Sequence, residues 1–307
     1  MRLYFLGQCA HDIIYPIDEP ILENQKYRCY EKQECAGGPA CNAALLCGSW
    51  NQETAGGSTC VMISRVGADS YGQEILTALK DRGVDPSFVA VSRGNTALSS
   101  IAVNRRSGTR TIFNAPMPAE QSLLPLPQER ADYLYSDGHE IGTMSTLMDR
   151  NPQAVSVLDA GTWRPELQSI LPRISYLICS GDFAYQYTGF YPQEDTVRRI
   201  FEQLAGLCPG QIAVTAGSDG LYFQAENSLF HMGAYAVPSI DTTGAGDIFH
   251  GAFLWELTRG VPYRNCLAVA AAAAALSTMR IGGSLSIPAC AQAEEKAGRE
   301  ALPCVKV

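Results

Sequence analysis

Short, almost continuously apolar runs rich in β-branched and aromatic residues recur at 2–7, 60–66, 133–136, 155–158, 174–179 and 212–215. Between or after them, 40–50, 70–82, 141–149, 194–207, 246–259 and 263–279 carry apolar residues at helical spacing. A strand apolar on both faces must be covered on both faces. The pattern therefore predicts an α/β fold: a mostly parallel central sheet between two helical layers, α/β/α. Ligands in such folds bind beyond the carboxyl ends of the strands. Polar or glycine-rich segments stand at those ends here, at 7–12, 136–140, 159–163, 180–182 and 216–220.

Two stretches break the alternation. Residues 13–36 contain no helical pattern, and 97–114 reads as paired strands around the turn Arg105-Arg106-Ser107-Gly108. They predict a small β-structure projecting from the main sheet, although an ordinary surface hairpin fits 97–114 equally well. Repeats and long linkers are missing, so 1–307 reads as one domain with this accessory piece. Gly56-Gly57-Ser58 within 51–59 predicts a mobile loop.

Composition narrows the function classes. Hydrophobic residues make up 46% and charged residues 18%, a globular balance, and the net charge is −8. Such a surface argues against non-specific nucleic-acid binding and against attachment to an acidic membrane, but leaves room for a few local cations around an anionic substrate. No apolar run approaches a membrane span and the start lacks a signal-peptide layout, so the expectation is a soluble, cytoplasmic protein. Of the eleven cysteines, Cys29, Cys35, Cys41 and Cys47 fall at a spacing of six. Without a CxxC pair, and with Cys41 and Cys47 on different helix faces, they read as free thiols rather than a zinc site.

The most informative stretch is Asp241-Thr-Thr-Gly-Ala-Gly-Asp-Ile-Phe-His-Gly-Ala-Phe253. Gly244 and Gly246 permit a tight turn, and the amides of Gly244, Ala245, Gly246 and Asp247 would face outward at a helix start, where the dipole favours an anion. A carboxylate at an anion site makes chemical sense if Asp247 takes a proton from a hydroxyl while the amides hold the phosphoryl group under attack. The plainer reading is an N-cap, with Asp247 satisfying first-turn amides.

Over its whole length this stretch resembles the second signature of the ribokinase or PfkB family of carbohydrate kinases. Gly37-Gly-Pro-Ala-Cys-Asn-Ala-Ala44 resembles the first signature, and Val214-Thr-Ala-Gly-Ser-Asp-Gly220 the turn beneath the nucleotide. The similarity covers most of the chain in the expected order, with closest resemblance to ketohexokinase-like and sulfofructose-kinase-like members. It implies a ribokinase-like fold whose β-structure (13–36 and 97–114) is a substrate lid, with a homodimer contact through that lid.

It further implies ATP as phosphoryl donor, Mg²⁺, Asp247 as catalytic base, and Gly244, Ala245 and Gly246 as the anion hole. Asp12, Gly38 and Asn42 would hold the sugar; Asn42 could equally cap its helix. Lys26, Asn114 and His139 fall near positions that hold a sulfonate in the sulfofructose kinases, with His139 replacing an Arg. Thr215, Gly217, Ser218 and Gly220 would line the nucleotide, and Ala268–Ala275 would flank the adenine. Asp241, the Thr243 carbonyl and Ser286 would enclose K⁺.

Two positions depart from the family. Ala10 replaces an Asn common in ribokinases, and Ser180-Gly-Asp-Phe183 replaces an Asn-x-x-Glu motif that organises the Mg²⁺ waters, leaving Asp182 as a partial substitute. No Walker A sequence occurs, which excludes P-loop kinases. The implied activity is ATP-dependent phosphorylation of a hydroxyl, expected to be primary, on a fructose-like or acidic keto sugar. The rival readings are a nucleoside kinase, hinted at by Phe113, Tyr27 and Tyr30, and a catalytically silent sugar or nucleotide sensor.

Overall fold

Strand β1 (Arg2–Leu6) lies third from one edge of a ten-stranded sheet and shows how that sheet is buried. Leu3 and Phe5 enter one apolar core while Tyr4 and Leu6 enter another, because successive side chains of a strand point to opposite faces. One core lies under the helices that carry Leu46, Phe253 and Ala270, the other under those that carry Leu147, Phe183 and Ile200. The three-layer α/β/α arrangement is therefore present. The computed structural model describes residues 1–118 and 124–307.

In chain order the main elements are β1, β2 (Ala10–Ile17), β3 (Gln33–Gly37), α1 (Pro39–Glu53), β4 (Thr59–Gly67), α2 (Ser70–Asp81) and β5 (Val84–Ser92). β6 (Ala97–Asn104), β7 (Arg110–Ala115), β8 (Tyr133–Ser136), α3 (Ile141–Arg150), β9 (Val155–Ala160), β10 (Tyr176–Ser180) and α4 (Gly181–Thr188) follow. The chain closes with α5 (Val197–Ala205), β11 (Gln211–Thr215), β12 (Leu221–Ala225), β13 (Ser228–Met232), α6 (Ala245–Thr258), α7 (Tyr263–Ser277), α8 (Cys290–Arg299) and β14 (Cys304–Lys306).

The sheet order is β14-β13-β12-β11-β10-β9-β8-β1-β4-β5. Pairing is parallel from β11 to β5 and antiparallel along the β11–β14 edge. The periodicity missed β5, whose burial alternates irregularly, and the edge strands β12, β13 and β14. It also made α5 too long, and α1 continues to Glu53, into the expected 51–59 loop.

The interruptions at 13–36 and 97–114 form a separate four-stranded sheet, β3-β2-β6-β7. A small cluster of Ile14, Cys35, Ile101 and Val103 lies on one side of it. This sheet begins at Ala10, three residues earlier than the pattern indicates, so β2 continues almost directly out of β1. All eleven cysteines are free thiols. No helix among the described residues is long and apolar enough to cross a membrane.

Candidate active site

Helix α6 starts where the turn 241–244 ends, and Gly244 makes that start possible. Its φ of +74° lies in the left-handed region, and a Cβ there would stand 2.9 Å from the Gly283 Cα. Gly244 is the N-cap and supplies no side-chain cap. The amide of Ala245 closes on the Thr242 carbonyl at 3.3 Å, so it is less available than the sequence suggested. Among the described residues no hydrogen-bond acceptor meets the amides of Gly246 and Asp247, and a Cβ on Gly246 would meet nothing within 4 Å. The open side of the helix start thus presents free N–H groups at its positive end.

The N-cap reading of Asp247 does not hold: its carboxylate accepts from Asn42 Nδ2 at 2.7 Å instead. Asn42 lies on α1, and two helices come close enough for this contact because the residues between them are small. A Cβ on Gly251 would lie 3.0 Å from the Ala43 Cα. Burial pushes the Asp247 carboxyl up to about 7, helped by the nearby negative charge of Asp159; the Asn42 hydrogen bond and His250 work in the opposite direction. A carboxyl held near neutrality suits a general base. Asn42 Oδ1 is buried without a partner, an acceptor free for a ligand hydroxyl.

Asp12 approaches from the small sheet. It is buried, and its carboxyl rises to about 6, chiefly through burial, against a hydrogen bond from Ser99. The strand register sets Asp12 beside Ser99 and Ser99 beside Asn114, whose Nδ2 donates to Ser99 Oγ at 3.3 Å. The 37–38 turn closes around this carboxylate, since a Cβ on Gly37 would lie 2.0 Å from Asp12 Oδ2. Gly38 packs on the Gln8 carbonyl, where a Cβ would come within 2.5 Å.

The next wall joins His139, named from the sequence, to Asp137 and Arg164, which the sequence patterns did not single out. Asp137, at the end of β8, accepts from the amides of Gln8 at 2.7 Å, Ala40 at 3.3 Å and His139 at 3.1 Å. His139 Nδ1 pairs with Asp137 Oδ1 at 3.0 Å. Despite burial, the His139 charge and these hydrogen bonds hold the Asp137 carboxyl below its usual range, and Asp137 in turn raises the His139 imidazole. Arg164 donates to the Gly138 carbonyl at 2.6 Å, and its Nε is buried with no partner. Lys26, by contrast, is exposed in the segment between β2 and β3 and has no ion pair among the described residues.

The β6–β7 hairpin reaches the 241–244 turn. Arg110 Nη1 donates to Thr242 Oγ1 at 2.6 Å, and Thr242 Oγ1 donates to the Gly108 carbonyl at 3.2 Å. Arg105 is instead held by Asp18, just past β2, at 3.0 Å and 3.1 Å.

Thr215 ends β11, and Gly217 and Ser218 are exposed in the turn to β12. Gly220, with φ +90°, packs its Cα face on the Met232 carbonyl. Phe183 is buried in the core and meets Trp163 edge-on, so it contributes no ligand. Asp182 is exposed on the first turn of α4 and accepts from Tyr191 Oη at 3.3 Å.

Asp241 is buried and binds the amides of Thr243 at 2.8 Å and Gly282 at 2.9 Å. Thr243 Oγ1 is buried and unpartnered, and Ser286 Oγ donates to the Gly283 carbonyl in the same corner. With no ion pair recorded for Asp241 among the described residues, a monovalent cation fits this oxygen-rich pocket.

Known proteins agree with this architecture. The chain is 24% identical to ketohexokinase from Mus musculus over 286 residues, covering 87% of this chain and 92% of that one. It is 27% identical to 2-dehydro-3-deoxygluconokinase from Thermoproteus tenax over 300 residues, with 88% and 87% covered. A solved ribokinase from Arabidopsis thaliana, complexed with ribose and ATP, superposes with a TM-score of 0.78 at 22% identity, over 97% of this chain and 99% of that one. The model of the pfkB family carbohydrate kinases matches residues 2–290, and the chain belongs to that family of sugar-hydroxyl phosphotransferases.

Proposed function

We propose that the protein transfers the γ-phosphoryl group of ATP to a primary hydroxyl of a fructose-like or acidic keto sugar. The observation that carries this reading is Asp247, held by Asn42 under the free amides of the α6 start. Asp12 and the open acceptor of Asn42 orient the sugar through its hydroxyls. The acceptor O–H bond breaks, with its proton passing to Asp247. The new O–P bond forms as the bond from Pγ to the β-phosphate oxygen breaks, releasing ADP. The Gly246 and Asp247 amides, together with the helix dipole, stabilise charge on the phosphoryl oxygens in transit.

The turn Thr215–Gly220 supplies a place for the nucleotide. Bound Mg²⁺ would neutralise phosphate charge, and Asp182 is placed to hold its waters. K⁺ would be held by Asp241, the Thr243 carbonyl and Ser286. Arg164 and His139 add positive charge at the ends of β8 and β9, which supports an acidic substrate over a neutral one. The β3-β2-β6-β7 sheet acts as lid, and a homodimer through its exposed Ile112 and Phe113 belongs to the same reading.

A coupled ADP-release assay over neutral and acidic keto sugars, aldoses and nucleosides tests the assignment. Release with keto sugars is the expected result. Release with nucleosides alone, or sugar binding without any release, would overturn it.

A further inference from the structure

Beneath the catalytic turn, one turn along α6 from Asp247, the side chain of His250 is 6% exposed. Its Nδ1 lies 2.6 Å from the Gly246 carbonyl and 3.3 Å from Asp159 Oδ2. Its Nε2 lies 3.1 Å from the Ile178 carbonyl on β10. Asp159, near the end of β9 and 8% exposed, also accepts from Tyr135 Oη of β8 at 3.0 Å. The polar atoms that face the two ring nitrogens are thus all acceptors. A ring with N–H on both nitrogens satisfies them all, whereas a ring with a single N–H sets a lone pair against a carbonyl oxygen. Setting a lone pair against a carbonyl oxygen in a buried site is repulsive, with no water to relieve it.

We propose that His250 and Asp159 form a buried charge pair that positions the first turn of α6 and sets the electrostatic environment of Asp247. His250 pins the Gly246 carbonyl, and with it the neighbouring amides, to strands β9 and β10. Both are positioning residues, since neither touches the site of transfer. The inference rests on Asp247 being the base.

The pair acts on Asp247 with opposite signs: the Asp159 charge raises its carboxyl and His250 lowers it. The other groups facing this cluster are Asn42 from α1, Asp12 from β2 and Tyr135 from β8, with Asp137 and His139 acting on Asp159 from beyond β8.

The test is a carboxyl ¹³C NMR titration of the full-length, sugar-free protein, with the Asp247 resonance identified by its loss in Asp247→Asn. His250→Gln should move the Asp247 midpoint to higher pH and Asp159→Asn to lower pH, each by about half a pH unit or more. The acid limb of kcat should follow in the same two directions, which a purely structural role would not produce. If either midpoint stays at the wild-type value, or both move the same way, the pair does not govern Asp247. Should His250→Gln fail to fold, the isosteric Asp159→Asn decides alone. The titration needs no turnover. A wild-type protein that phosphorylates nothing would overturn the kinase reading, while the midpoints would still judge the pair.

Discussion

Replacing Asp247 by Asn should make the protein almost inactive and, above neutral pH, more stable. Burial and the Asp159 charge raise the folded-state carboxyl from 3.8 to about 7. A carboxyl raised on folding contributes its full stability below the unfolded value. That contribution is lost as pH rises through the folded value, because the chain must then ionise a group the fold prefers neutral. At about 1.4 kcal/mol per pH unit the displacement corresponds to roughly 4 kcal/mol, and partial solvent access reduces this to about 2–4 kcal/mol. Asn keeps the shape of the side chain and can still accept from Asn42 Nδ2, so the variant avoids the penalty without losing the contact.

For a chain of this length about 2 °C accompanies each kcal/mol, which gives a rise in Tm of about 4–8 °C at pH 8 and a much smaller one at pH 5. Calorimetric melts of both proteins at the two pH values, at fixed ionic strength, measure the difference. The ADP-release assay should show turnover reduced by about 10²–10⁴-fold. An equal Tm difference at both pH values, or no stabilisation at pH 8, would refute the claim that Asp247 is held in an environment hostile to its charge. Normal turnover would refute its role as base.

Other substitutions separate binding from framework. Gly246→Ala adds a methyl group to open space in front of the free amides, so turnover should fall at least about 10-fold with stability unchanged or slightly improved. Gly244→Ala places a Cβ in the left-handed region against Gly283 and should lower stability by about 1–2 kcal/mol or more, read from denaturant midpoints. Asp12→Asn should raise the sugar KM by about 10–100-fold, as expected for a lost charged hydrogen bond, while ATP affinity measured by calorimetry stays constant. In the wild type, kcat/KM should fall as pH drops below about 7, because Asp247 must be ionised to accept a proton.

Much of the architecture was legible because it is written locally. The strands 133–136 and 212–215 are marked by continuous burial, and the helix over 263–277 by its alanine-rich run. The antiparallel edge was not legible, since β13 is only partly buried and β14 is three residues long at the sheet margin. The small sheet was visible as an interruption, but its order β3-β2-β6-β7 depends on β2 pairing in parallel with β6, some 90 residues away. Lys26 was placed by positional matching alone, and its side chain is exposed between β2 and β3.

The sequence by itself determined the family, the glycine-rich turn with its carboxylate, and the class of reaction. Those properties reside in contiguous residues whose backbone freedom and charge act over a single helical turn. Only the tertiary structure decided that Asn42 rather than a backbone amide holds Asp247, which follows from the close crossing of α1 and α6 over Ala43 and Gly251. It alone brought Asp137, His139 and Arg164 into one wall and set His250 on Asp159. Those side chains leave the ends of β8, β9 and α6, elements that meet through sheet order and helix packing. No local pattern records which strand lies beside which.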